Sequence, residues 1–126
     1  NIDFEHVTKD NAAAYLEFLR ELTIKAHINE LVISVDNYTP AAHNAFYNIK
    51  EQGKVVDYVI LMAYDEHYVK GPEAGSTSSL AFVKQSAERT IAEVPKSVLW
   101  LHCHSTQGFG RNLSQREVNR LPRLTE

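Results

Sequence analysis

Asn1, Asp3 and Glu5 occupy alternate positions of the opening pentapeptide, with Ile2 and Phe4 between them. On an extended strand side chains alternate, so the amide and both carboxylates share one face and the two apolar residues share the other. Such polar groups on a strand flanked by hydrophobes are costly unless something uses them. Close like charges also push one carboxyl pKa upward, which is how a protein keeps a general acid protonated near neutral pH. The plain alternative is a polar strand end facing water. Two further clusters weigh against it: Tyr64-Asp65 closes the most hydrophobic run of the chain, and Asp36-Asn37 closes a β-branched run.

The elements that must position these groups follow from periodicity. Thr8 or Asp10 starts a helix that runs to about His27, with Tyr15, Phe18, Leu19, Leu22 and Ala26 forming one apolar stripe. Residues 31–35 read as a strand, and 40–52 as a shorter helical stretch stopped by Gly53. Residues 55–62 form a strand expected to be buried on both faces. A Gly- and Ser-rich loop at 71–79 leads to a helix over about 80–92, and a further strand begins over 97–100. This βαβαβαβ order, with connections long enough for crossovers, predicts an α/β fold of parallel strands with helices outside. In such sheets function gathers at the C-terminal strand ends, where Glu5, Asp36 and Tyr64-Asp65 all fall.

Bulk composition narrows the classes. A chain of 126 residues, 44% hydrophobic and 23% charged, reads as one globular domain at most. A net charge of -3 argues against a nucleic-acid surface, which needs a basic stripe. No apolar run approaches the length of a membrane span. The single Cys103 excludes an intramolecular disulfide and leaves the compartment open. The chain opens without Met and inside an apparent strand, so a preceding segment is expected. His102-Cys103-His104 has the residue types of a zinc site, but alternation sets Cys103 on the opposite face from the two histidines. Residues 105–126 supply no further His or Cys, so no metal site and no cofactor are expected.

The motifs resemble glycoside hydrolase family 18, whose (β/α)8 barrel carries an acidic D-G-x-D-x-D-x-E motif on strand four and M-x-Y-D on strand six. Asn1, Asp3 and Glu5 match the end of the first motif, with Asn1 standing where the family has Asp; Met62, Tyr64 and Asp65 match the second. Asn-Ile-Asp-Phe-Glu, Ser34-Val35-Asp36-Asn37-Tyr38 and Met62-Ala63-Tyr64-Asp65-Glu66-His67-Tyr68 are closest to the bacterial branch associated with peptidoglycan and spore-cortex fragments. The resemblance covers residues 1–100 and implies a partial TIM barrel, about half, comprising strands four to seven.

It further implies a retaining, substrate-assisted glycosidase acting on polymers that contain β-linked N-acetylglucosamine, chitin or peptidoglycan. Glu5 would be the acid and then the base, Asp3 would orient the acetamido N–H, and Tyr64 would bond the acetamido oxygen. Asn1, Met62 and Asp65 would contact substrate. Alternation sends Ile33 and Val35 to the helices and Ser34 and Asp36 toward the barrel axis, making Asp36 a substrate contact or a loop cap. His67 and Tyr68 would line the sugar cleft or simply pack. The parent family implies an extracellular, cell-wall or spore location. A chitinase-like glycan-binding protein without activity is the alternative; such proteins typically lose the acid, which Glu5 retains. With much of the barrel missing, the isolated chain is expected to be inactive.

The tail, residues 101–126, reads as aberrant. Residues 1–100 hold seven Lys and two Arg, whereas 101–126 hold four Arg and no Lys. Members of the resembling branch continue the seventh strand into P-[FL]-Y-x-R-x-W. Shifting the reading frame by one base from Cys103 onward permits Pro-Leu-Tyr-Thr-Arg-Val-Trp at every step. A frameshift between Lys96 and Cys103 accounts for both observations, with a genuine polar extension as the alternative.

Overall fold

The computed structural model describes residues 1–68 and 71–103. Three strands, β1 (Ser34–Tyr38), β2 (Tyr58–Met62) and β3 (Leu99–His102), form a sheet in that order, and both pairs are parallel. Ile2 joins the free side of β1 through one parallel bridge to Val35. The connections carry α1 (Ala12–Ile28), α2 (Ile49–Val55) and α3 (Leu80–Ile91), with 3-10 turns at Lys9–Asn11 and Ala42–Tyr47. The α/β class and the parallel strands agree with the sequence pattern.

Paired residues in a parallel ladder point to the same side, so register defines two faces. Ile2, Val35, Val59 and Leu99 lie on one; Asp36, Ile60 and Trp100, with Tyr38, Met62 and His102, lie on the other. The first face holds the core, where Val35, Val59 and Leu19 are fully buried beside Tyr15, Ala26, Ile33, Ile49, Val56 and Val94. Each such aliphatic side chain contributes about 1.5–3 kcal/mol relative to exposure. On the second face Trp100 and Tyr38 are 43% and 39% exposed, and Trp100 meets Tyr58 edge-on at 5.3 Å.

Several boundaries differ from the sequence expectation. The opening strand is reduced to the Ile2 bridge, because the chain turns at Glu5-His6. Neither Thr8 nor Asn11 caps through its side chain, and Asp10 lies within the 3-10 turn that precedes α1. The strand expected at 31–35 begins at Ser34, leaving Leu31 and Val32 exposed. The cause is Asp57: its carboxylate takes the Ile33 N–H at 2.8 Å, while Ile33 O accepts from the N–H groups of Asp57 and Tyr58. Gly53 does not stop a helix; it sits buried inside α2, where a Cβ would lie 2.9 Å from Val94 Cγ1. The interruption falls instead at Asn48, whose φ of 50° is left-handed and whose side chain accepts from Glu51 N. In β2, Val59 and Leu61 are fully buried, but Tyr58 and Ile60 are only half-buried.

Candidate active site

The C-terminal strand ends bring the polar clusters together. Asn1 is the first link: its Nδ2 donates to Asp36 Oδ2 at 2.8 Å, and its Oδ1 accepts from Ser34 Oγ at 2.8 Å. This follows from the bridge at Ile2, which turns Ile2 toward the core and leaves its neighbours beside Ser34 and Asp36. The expected alternation in β1 therefore holds. Asp36 Oδ1 is buried and has no hydrogen-bond donor among the described residues.

Tyr64 lies two residues beyond the end of β2. Burial raises its pKa first, and the charges of Glu5, Asp3, Asp36 and Asp65 raise it further. All four carboxylates thus lie within electrostatic reach of one phenol, which stays protonated at neutral pH. Its ring meets His102 at the end of β3 edge-on at 5.3 Å. Met62 is buried two residues before it, on the face shared with Tyr38 and His102. Beside Glu5 runs a groove of about 510 Å³ bordered by Asp3, Phe4, Val7, Tyr15 and Phe18. There Phe4 and Phe18 stack at 5.8 Å.

Asp65 stands at the rim, exposed, with φ at 62°. Aspartate tolerates this left-handed conformation better than most residues. It borders a depression of about 340 Å³ together with His67, Tyr68 and Glu73. The loop behind it is well tied. Glu66 accepts from Ser79 N at 2.8 Å and Ser79 Oγ at 3.0 Å, bonds that hold its carboxyl below the ordinary range. His67 Nδ1–H donates to Ser76 O at 2.8 Å, so this ring anchors the loop, while Tyr68 is 60% exposed.

Two tyrosines border the site. Tyr38 closes the Ser34-Val35-Asp36-Asn37-Tyr38 motif at the end of β1, and burial followed by the Glu5 charge pushes its pKa up to about 12. Tyr47 Oη lies 3.0 Å from Glu5 O and 3.3 Å from Phe4 O, and accepts from Val7 N at 3.2 Å. Tyrosine at position 47 reads as ordinary packing in the sequence, whereas Tyr38 falls two residues after Asp36, on the same strand face. Among the described residues no group of three His, Cys, Asp or Glu is placed to hold a metal ion. His104 and the rest of the tail lie outside the described residues.

No protein-family model matches the chain. It is 31% identical over 100 residues to the uncharacterized glycosylase YvbX of Bacillus subtilis, an alignment that takes in 75% of this chain and 29% of YvbX. It is 29% identical over 101 residues to the cortical fragment-lytic enzyme of the same bacterium, covering 75% of this chain and 23% of that enzyme. The crystal structure of Bacillus subtilis YdhD matches with a TM-score of 0.72 at 28% identity, over 79% of this chain and 35% of YdhD. A chitinase from Chromobacterium violaceum matches with a TM-score of 0.71 over 80% of this chain and 33% of its own, a likeness of fold alone at 20% identity. The chain thus shares an α/β fold with these proteins, and it spans less than a third of the length of these curated relatives.

Proposed function

We propose that the chain is a segment of a family 18 glycoside hydrolase barrel, about strands four to seven, that carries the acid for cleaving β-linked N-acetylglucosamine polymers. The observation that carries this reading is that Glu5 and Asp3 lie within electrostatic reach of the Tyr64 phenol, which follows strand β2 of a parallel sheet. The relatives named as a glycosylase and a cortical fragment-lytic enzyme support it.

In this mechanism Glu5 gives its proton to the glycosidic oxygen as the bond to the anomeric carbon breaks. The 2-acetamido carbonyl oxygen of the same sugar attacks that carbon, forming an oxazolinium ion. Asp3 accepts from the acetamido N–H and stabilises the positive charge, while Tyr64, held protonated, donates to the acetamido oxygen. The Glu5 carboxylate then takes a proton from water, which attacks the anomeric carbon with net retention. Asn1 holds Asp36 in place, and Asp36 Oδ1 offers an acceptor to a sugar hydroxyl or amide. Met62 forms part of the wall and Asp65 contacts substrate at the rim.

The test is a chimera in which residues 1–103 replace the matching segment of the cortical fragment-lytic enzyme. Release of reducing ends from N-acetylglucosamine oligomers and from cortex peptidoglycan is the expected result. Removal of the acetyl groups should abolish it, and cleavage that survives would contradict the substrate-assisted step. Binding without cleavage would favour a glycan-binding protein instead. The 126-residue chain by itself should give no turnover, because catalysis needs the acetamido group held in a closed pocket.

A further inference from the structure

Glu5 follows a segment with a single bridge to the sheet, so the ladder does not fix its direction. What fixes it is a side chain from 42 residues away. The Tyr47 hydroxyl shares its proton between Glu5 O and Phe4 O and accepts from Val7 N, so it engages the main chain on both sides of the glutamate. Tyr47 is itself held from two directions. Its carbonyl accepts from Gln52 Nε2 at 2.6 Å, and Gln52 Oε1 accepts from Asn37 Nδ2 of β1 at 2.7 Å, with both amide side chains buried. Its ring meets Tyr15 and Tyr38 edge-on, at 6.2 Å and 6.3 Å.

We propose that Tyr47 is a positioning residue for Glu5, pinning its main chain to β1 through Gln52 and Asn37. The proposal rests on Glu5 being the acid. Tyr47 acts as a rigid holder in an otherwise ladder-free turn, which preserves alignment of the acid through both halves of the reaction.

The test uses the 126-residue chain and its Tyr47→Phe variant, compared by NMR. Tyr47→Phe should speed exchange of the Val7 amide several-fold, the equivalent of one lost hydrogen bond, and leave the Val59 amide of β2 unchanged. Exchange at Val7 that stays as in the wild type would overturn the proposal, whatever the activity. In the chimera described above, Tyr47→Phe should lower kcat at least fivefold with KM unchanged. A matched fall in expression and stability with kcat preserved would also overturn it, because it would show a purely structural role. Should the wild-type chimera show no turnover, the reading of Glu5 as the acid fails, while the NMR arm still decides whether the holder exists.

Discussion

Gln52 offers the sharpest quantitative test of how the site is supported. It is fully buried and makes two bonds, accepting from Asn37 Nδ2 and donating to Tyr47 O. Gln52→Leu keeps nearly the same volume, so packing is largely preserved and the loss is polar. It strands the Asn37 amide, which is 3% exposed, and the part-buried Tyr47 carbonyl. The buried amide costs about 1–3 kcal/mol and the carbonyl at most as much again, so the variant should lose about 1–6 kcal/mol. Against about 5–15 kcal/mol for a whole domain, that is a large share of the total. Asn37→Leu alone strands Gln52 Oε1 and should cost about 1–3 kcal/mol. The double variant Asn37→Leu/Gln52→Leu strands only the Tyr47 carbonyl; the orphaned Asn37 amide and Gln52 Oε1 both disappear, so it should be more stable than the sum of the singles by about 2–6 kcal/mol. Urea unfolding followed by far-ultraviolet circular dichroism, with common slopes, measures all four proteins. Single variants within about 0.5 kcal/mol of wild type, or strict additivity, would refute the claim that this pair anchors Tyr47.

Two further predictions concern pH. The Asp57 carboxyl is held below the ordinary range, first by the Ile33 N–H and then by His27 Nε2 at 3.0 Å. A depressed folded-state pKa gives stability that is full above the ordinary carboxylate range and is lost as pH falls through the folded-state value. Asp57→Asn should therefore flatten the acid limb of the urea midpoint against pH, and an unchanged limb would count against the contact. Tyr15 and Tyr38, both pushed up to about 12, should ionise about two units later than exposed tyrosines in an ultraviolet phenolate titration. With folded-state values raised, their contribution is full below pH about 10 and lost as pH climbs toward 12; all six tyrosines titrating together near 10 would contradict it.

Much of this architecture was legible because alternation is a strict rule. Ile2 against Asn1, and Val35 against Ser34 and Asp36, fall on opposite faces as period two requires, and those faces decide which carboxylates meet. The boundaries were less legible because they depend on distant side chains. Leu31 and Val32 have strand propensity, yet Asp57 captures the Ile33 N–H and moves the start of β1 to Ser34. Gly53 reads locally as a stop, but Val94 requires a residue without a Cβ at that point of α2. Tyr47 was invisible for the same reason: it joins the site through a contact 42 residues away, which no local period reports.

The central claim is that Glu5 delivers the proton. Glu5→Gln in the chimera tests it most directly, measured as kcat on an N-acetylglucosamine oligomer alongside oligomer binding. An amide keeps the shape and cannot give up a proton, so kcat should fall by about 10²–10⁴ while binding stays within a few-fold. Near-normal turnover by Glu5→Gln would contradict the account.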